Sequence, residues 1–107
     1  MRIIIAGAGD VGFHLAKLLV QEEQDIALID TDAEKLKYAA DHFDIATIRG
    51  NSISYTVLDE AGVNKADLVI SATNSEETNI STCIIAKHLG AKRTIARVRN
   101  TEFLLKR

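Results

Sequence analysis

Met1-Arg2-Ile3-Ile4-Ile5-Ala6-Gly7-Ala8-Gly9-Asp10-Val11-Gly12 opens the chain and decides its fold. Arg2 to Ala6 is a short apolar run of β-branched character, the composition of a strand. G-x-G-x-x-G follows at once, and a helical pattern begins at its last glycine. In that setting Gly7 permits a tight turn, Gly9 lets a pyrophosphate approach the backbone, and Gly12 lets helix and strand pack closely. The helix N-terminus offers unpaired N–H groups and the positive end of a dipole to phosphates. A second strand, Ile26-Ala27-Leu28-Ile29, ends in Asp30, eighteen residues past Gly12. An acid at that place suits hydrogen bonding to ribose hydroxyls and repels a 2′-phosphate.

The bulk properties narrow the function. At 107 residues the chain is one domain with room for a core. Its apolar share is 47% and its charged share 26%, ordinary for a globular protein. The net charge of −2 gives no electrostatic footprint for nucleic acid or anionic lipid. One cysteine, Cys83, rules out an internal disulfide framework and fits a reducing compartment. The N-terminal apolar run is too short for a signal peptide, and no stretch approaches the length of a membrane span. Any membrane role is therefore expected through a partner.

Apolar runs alternate with helical patterns along the whole chain. Strands are expected near 2–6, 26–30, 45–48, 67–71 and 93–98, and helices near 10–22, 33–41, 53–60, 76–89 and from about 101. Continuous apolar runs imply strands buried on both faces, hence a parallel sheet. The fold class that follows is α/β, a Rossmann-like doubly wound parallel sheet with helices on both faces and the site at the strands' carboxyl ends. Thr31 with Glu34 reads as a capping box, and Asn74 with Glu77 as a second. Val11, Leu15, Leu18 and Leu19 fall on one face of the first helix. Gly62 and Gly90 stand where helices should stop. Asn100-Thr101 reads as a cap for a further helix, of which Glu102 to Arg107 supplies barely two turns. So short a helix is unstable alone, which leads us to expect a domain at 1–107 cut from a longer chain.

Residues that can carry chemistry gather after the strands. Ser71-Ala72-Thr73-Asn74-Ser75-Glu76-Glu77-Thr78-Asn79 follows the fourth strand, and its small hydrogen-bonding residues can line a ligand while Asn74 or Ser75 caps the next helix. Ala96-Arg97-Val98-Arg99-Asn100 follows the fifth and sets two arginines at alternate positions, on the same side. A guanidinium there is a fork-shaped clamp for a pyrophosphate, though single arginines are more often solvated. Gly50-Asn51 follows the third strand and reads first as a turn. His14, His42 and His88 share no metal-ligand spacing, and Cys83 sits in the apolar phase of its helix with Ile80 and Ile84. No catalytic or metal-binding constellation emerges.

The combination of the opening glycine motif, Asp30, Gly50-Asn51, Ala72-Thr73-Asn74-Ser75-Glu76-Glu77-Thr78-Asn79 and Ala96-Arg97-Val98-Arg99 resembles the TrkA N-terminal (RCK/KTN) domain over essentially the whole chain. That family regulates potassium channels and transporters. Members of the Trk potassium-uptake type, which the chain most resembles, bind NAD⁺ or NADH, and Ktr-type relatives bind ATP or ADP at the equivalent place. The resemblance puts Gly7, Ala8, Gly9, Asp10, Val11 and Gly12 at the phosphates and Asp30 at the adenosine ribose. It puts Asn51 near the base, Thr73 and Asn74 along the ligand, and Arg97, rather than Arg99, on the phosphates. It also implies a sixth strand, a crossover to a neighbouring subunit and a C-terminal effector lobe that this length does not hold.

The expected function is therefore regulatory: a cytoplasmic nucleotide-binding domain, peripheral to the inner face of the membrane through a potassium transporter or channel subunit. A homo-oligomer, from dimer to tetramer or higher ring, is implied, with Phe103, Leu104 and Leu105 as packing surface. The alternative is the cofactor-binding domain of an NAD-dependent oxidoreductase, which would need a substrate pocket and an acid/base group beside the nicotinamide. An S-adenosylmethionine module keeps the same fold with another ligand.

Overall fold

The structure, a computed structural model, describes residues 1–99. Five parallel strands form one sheet in the order β3-β2-β1-β4-β5, with β1 at Arg2–Ala6, β2 at Asp25–Asp30, β3 at Ala46–Arg49, β4 at Leu68–Ser71 and β5 at Arg93–Ala96. Helices α1 (Asp10–Gln21), α2 (Ala33–His42), α3 (Tyr55–Glu60) and α4 (Glu76–His88) connect them, with a 3-10 turn at Val63–Lys65. The expected helix from about 101, with Phe103, Leu104 and Leu105, lies outside the described residues.

Ile3, Ile4 and Ile5 of β1 show why the centre of the sheet reads as unbroken apolar sequence. Ile3 and Ile5 pack with Ala16, Leu36 and Ala39 under α1 and α2, while Ile4 packs with Leu58 and Ala86 under α3 and α4. Each is at most 1% exposed, and burying such a side chain stabilises by about 2 kcal/mol. At the edges the pattern breaks. Neither β3 nor β5 has a fully buried residue, so burial on both faces belongs to the inner strands alone.

Several local expectations shift by one residue or one turn. Asp32, not Thr31, caps α2, its Oδ1 accepting from the N–H groups of Glu34 and Lys35. Ser75, not Asn74, caps α4 by accepting from Thr78 N. In each case the residue one place on has its side-chain oxygen within reach of first-turn N–H groups, which is what an N-cap needs. α3 begins at Tyr55 because Asn51 to Ser54 close a turn first, Ser54 N donating to Asn51 O. In α1 the buried residues are Gly12 and Ala16, with Leu15 and Leu19 partly buried, while Val11 and Leu18 are exposed. The smallest side chains take the position of closest approach, which rotates the larger ones off the contact. On α4, Cys83 is buried as expected but Ile84 is 66% exposed.

The amino edge of the sheet is held by charge. Arg2 N and Lys92 Nζ both donate to the Asp67 carboxylate, at 2.8 and 3.2 Å. The backbone N–H of Arg2, then Lys92, holds its carboxyl below the usual carboxylate range. A lowered carboxyl stabilises the fold above the ordinary aspartate range, and that contribution fades as pH falls through the lowered value. Asp67→Asn should therefore flatten the acid limb of a stability–pH profile between about pH 5 and pH 2, read by urea denaturation, while wild type loses stability there.

Candidate functional site

The site forms where β1 and β4 part, the point at which the sheet's winding reverses. Gly7 leaves β1 at φ +106°, and a Cβ there would lie 3.0 Å from the backbone of Ala72 and Thr73. Gly12 carries the tightest contact: its Cβ would fall 1.6 Å from the Gly7 carbonyl oxygen. Only glycine lets α1 sit this low on the strand. Gly9 is different, since an added Cβ would meet nothing within 4 Å. It is the N-cap of α1 and offers no side-chain cap, whereas α2, α3 and α4 are each capped by a side chain. The first-turn N–H groups of α1 are thus left to solvent or to a ligand that fills the space over Gly9.

Asp30, at the end of β2, is tied to the protein before any ligand arrives. Its Oδ2 accepts from Ala8 N at 2.7 Å, and its Oδ1 accepts from Asp32 N at 2.8 Å. The carboxylate fastens the glycine turn to the loop after β2, and each oxygen keeps acceptor capacity for a ligand hydroxyl. Gly7 N donates to Ile29 O and Gly50 N to Asp30 O, so the turns after β1, β2 and β3 are stitched side by side.

Across the cleft, Asn79 does the corresponding work. It is 1% exposed, and its Oδ1 accepts from Ser71 Oγ, Thr73 N and Thr73 Oγ1. Its Nδ2 donates to Thr73 O and Arg97 O, both at 3.0 Å. Asn74 Oδ1 in turn accepts from Arg97 Nη1 at 3.4 Å and Arg99 Nη2 at 3.2 Å. β5 ends at Ala96, so strand alternation does not itself align the two arginines, although Arg97 N still donates to Ser71 O. Asn74 draws both heads to the same place.

The result is a cleft of two joined lobes. One, about 320 Å³, is lined by Asp30, Asn51, Ser52, Thr73 and Asn74 among others. The other, about 410 Å³, is lined by Gly9, Asp10, Val11, Lys35, Arg97 and Arg99 and also touches Asp30 and Thr73. Gly7, Asp30, Thr73 and Asn74 border both. Of the residues singled out by sequence, Gly7, Gly9, Asp10, Val11, Asp30, Asn51, Thr73, Asn74 and Arg97 therefore meet at one cleft. Ala8 and Gly12 stand behind it, Ala8 with its N–H on Asp30 and Gly12 against Gly7. The second lobe gathers three cations against the carboxylates of Asp10 and Asp30, and the cations beside an uncapped helix end can hold a di-anion. Asp30 beside them can accept from a diol.

Lys35 and Ser52 entered the lining without being singled out by sequence; Ser52 is buried on Thr82 Oγ1 at 2.7 Å. In the sequence Asn79 stands at the end of a polar stretch and in a segment that carries the family resemblance, with no role of its own. Its signal was its phase: it lies on the same buried face of α4 as Thr82, Cys83 and Ala86, a polar amide where packing calls for an apolar side chain. Cys83 takes no part in the cleft; burial pushes its thiol up from the usual range, against weaker opposing hydrogen bonds with Thr94 and Ser71. Among the described residues no group of three or more His, Cys, Asp or Glu could hold a metal ion.

Fold and cleft together define a Rossmann-like α/β domain. The chain belongs to the TrkA-N domain family, whose model matches residues 3–106. Among curated relatives it is 44% identical, over its whole length, to the Trk system potassium uptake protein TrkA of Halomonas elongata. It covers 24% of that protein, and spans 23% of the TrkA of Vibrio alginolyticus, to which it is 40% identical over 105 residues. In structure it is similar to the NAD(P)-binding domain of an exopolyphosphatase-related protein from Archaeoglobus fulgidus, with TM-score 0.82 and 15% identity, covering 94% of this chain and 74% of that one. It is also similar to the AMP-bound Kef CTD of Shewanella denitrificans, with TM-score 0.76 and 19% identity, covering 89% and 57%.

Asp30→Ala removes two charge-assisted backbone contacts at once. It should destabilise the ligand-free chain by about 2 kcal/mol in urea denaturation, more than a surface Asp→Ala change such as Asp44→Ala.

Proposed function

We propose that this chain is the nucleotide-sensing domain of a potassium-uptake regulator and not an enzyme. The single observation that carries the reading is the geometry over Gly9: open space at an uncapped helix start, faced by the Arg97 and Arg99 guanidiniums, with the Asp30 carboxylate alongside. In this reading the diphosphate of an adenine nucleotide lies over Gly7 to Gly12, with Arg97 on its oxygens. Asp30 accepts from the ribose hydroxyls, Asn51 stands by the base, and Thr73 and Asn74 run along the ligand. The preferred ligand is NAD⁺ or NADH, with ATP or ADP as the alternative. Both share the adenine, ribose and diphosphate that these residues would read.

The relatives' names support a role in potassium uptake. A lining of backbone, amides, hydroxyls and cations, in which the Asp30 carboxylate is already bonded to Ala8 N and Asp32 N, supports binding over hydride transfer. We place the domain on the cytoplasmic side of the membrane, within a longer protein that assembles as a homo-oligomer against a transporter or channel subunit. No helix among the described residues is long and apolar enough to cross a membrane. Nucleotide would act by binding one arrangement of the assembly more tightly than another. A tenfold preference supplies about 1.4 kcal/mol per site, so several sites acting together give a firm switch.

Thermal denaturation with NAD⁺, NADH, NADP⁺, ATP and ADP side by side tests the reading. A true ligand at a hundred times its dissociation constant adds about 2.7 kcal/mol, a rise of roughly 10 °C or more for a domain of this size. NADP⁺ should lag NAD⁺, because Asp30 opposes the 2′-phosphate. No rise with any of the five would end the proposal. Arg97→Ala should weaken ADP and NADH by roughly tenfold or more while leaving adenosine nearly unchanged, read by calorimetry; equal losses would remove Arg97 from the phosphates.

A further inference from the structure

Asn79 touches neither lobe of the cleft, yet it ties together the two segments that form the wall opposite Asp30. Two of its contacts fix the loop after β4, through Thr73 N at 2.9 Å and Thr73 O at 3.0 Å. Another reaches the end of β5, through Arg97 O. The Arg97 backbone is also held by its own N–H on Ser71 O at 2.8 Å, but its side chain makes only long contacts, 3.4 Å to Thr73 O and 3.4 Å to Asn74 Oδ1. Those acceptors belong to the same loop that Asn79 pins. The Arg97 carbonyl and the loop that carries both acceptors of its guanidinium are therefore held by one buried amide.

The donor set explains why an amide stands there. The position must accept from Ser71 Oγ and from Thr73 while donating to two carbonyl oxygens, and only Asn or Gln does both in one short group. An aspartate would turn an oxygen toward the two carbonyls. A glutamine is one methylene longer in a site that is 1% exposed, where added volume is costly. Every buried side-chain polar atom among the described residues is partnered, so the network is complete as it stands.

We propose that Asn79 is a positioning residue that sets Arg97, and through it the phosphate selectivity of the cleft, without contacting the ligand. The inference rests on the nucleotide reading above. Calorimetry with ADP and with adenosine, on wild type, Asn79→Asp, Asn79→Ala, Arg97→Ala and the Asn79→Asp/Arg97→Ala double variant, tests it. Each Asn79 change should weaken ADP at least tenfold and adenosine less than threefold. The double variant should bind ADP within twofold of Arg97→Ala alone, because the two residues act as one unit. Losses equal for ADP and adenosine, or fully additive in the double variant, overturn the proposal.

Two measurements on wild type keep the test decisive if the variants do not fold. In ¹⁵N-resolved spectra the Asn79 side-chain amide should shift on saturation with ADP and stay in place with adenosine; an unmoved signal under ADP overturns the proposal. Should wild type bind neither ligand, the nucleotide reading fails by itself. Asn79 is then judged by hydrogen exchange: the Thr73 amide should be protected as strongly as the inner-strand amides, and rapid exchange there overturns the positioning role.

Discussion

The absence of a side chain at Gly12 governs the rest of the molecule. With 1.6 Å between a would-be Cβ and the Gly7 carbonyl oxygen, any other residue would lift α1 away from β1. Lifting it would open the packing of Ala16 over Ile3 and Ile5 and carry the helix start out of the cleft. The low seat of α1 is what aims its uncapped first turn at the space over Gly9. Core packing and the candidate site therefore share one steric cause.

Polar clasps stand on either side of that helix start. Asp30 binds the turn after β1 to the loop after β2, and Asn79 binds the loop after β4 to the end of β5. Both are local networks of backbone partners, and both would cost stability if half made. Such clasps keep the loops in place before a ligand arrives, which lowers the ordering cost of binding. At the mouth, by contrast, Asn74, Arg97 and Arg99 make longer and more exposed contacts.

Sequence reading served best where periodicity and backbone need coincide. The glycine motif and the terminal Asp30 come from positions whose chemistry is legible residue by residue, whereas the two arginines meet through Asn74 and not by the strand alternation expected of them. It served less well where a neighbour one place along could do the same job. Asp32 caps α2 in place of Thr31, and of the two candidates Asn74 and Ser75 it is Ser75 that caps α4, because the cap is chosen by chain direction at the helix start, which composition does not encode. The face of α1 was misread for a related reason: Val11 and Leu18 look like core by spacing, but Gly12 and Ala16 hold the contact.

By itself the sequence determined the class of fold, the order of its elements, the glycine elbow and the acid after β2. These depend on local patterns of two, three or four residues and on backbone freedom that only glycine has. Only the tertiary structure decided that Asp30 already grips Ala8 and Asp32, that Lys35 borders the second lobe, and that a buried Asn79 holds Thr73 and Arg97 together. Those contacts join residues from different strands and helices. Their distances follow from how closely the layers pack, which no stretch of sequence specifies alone.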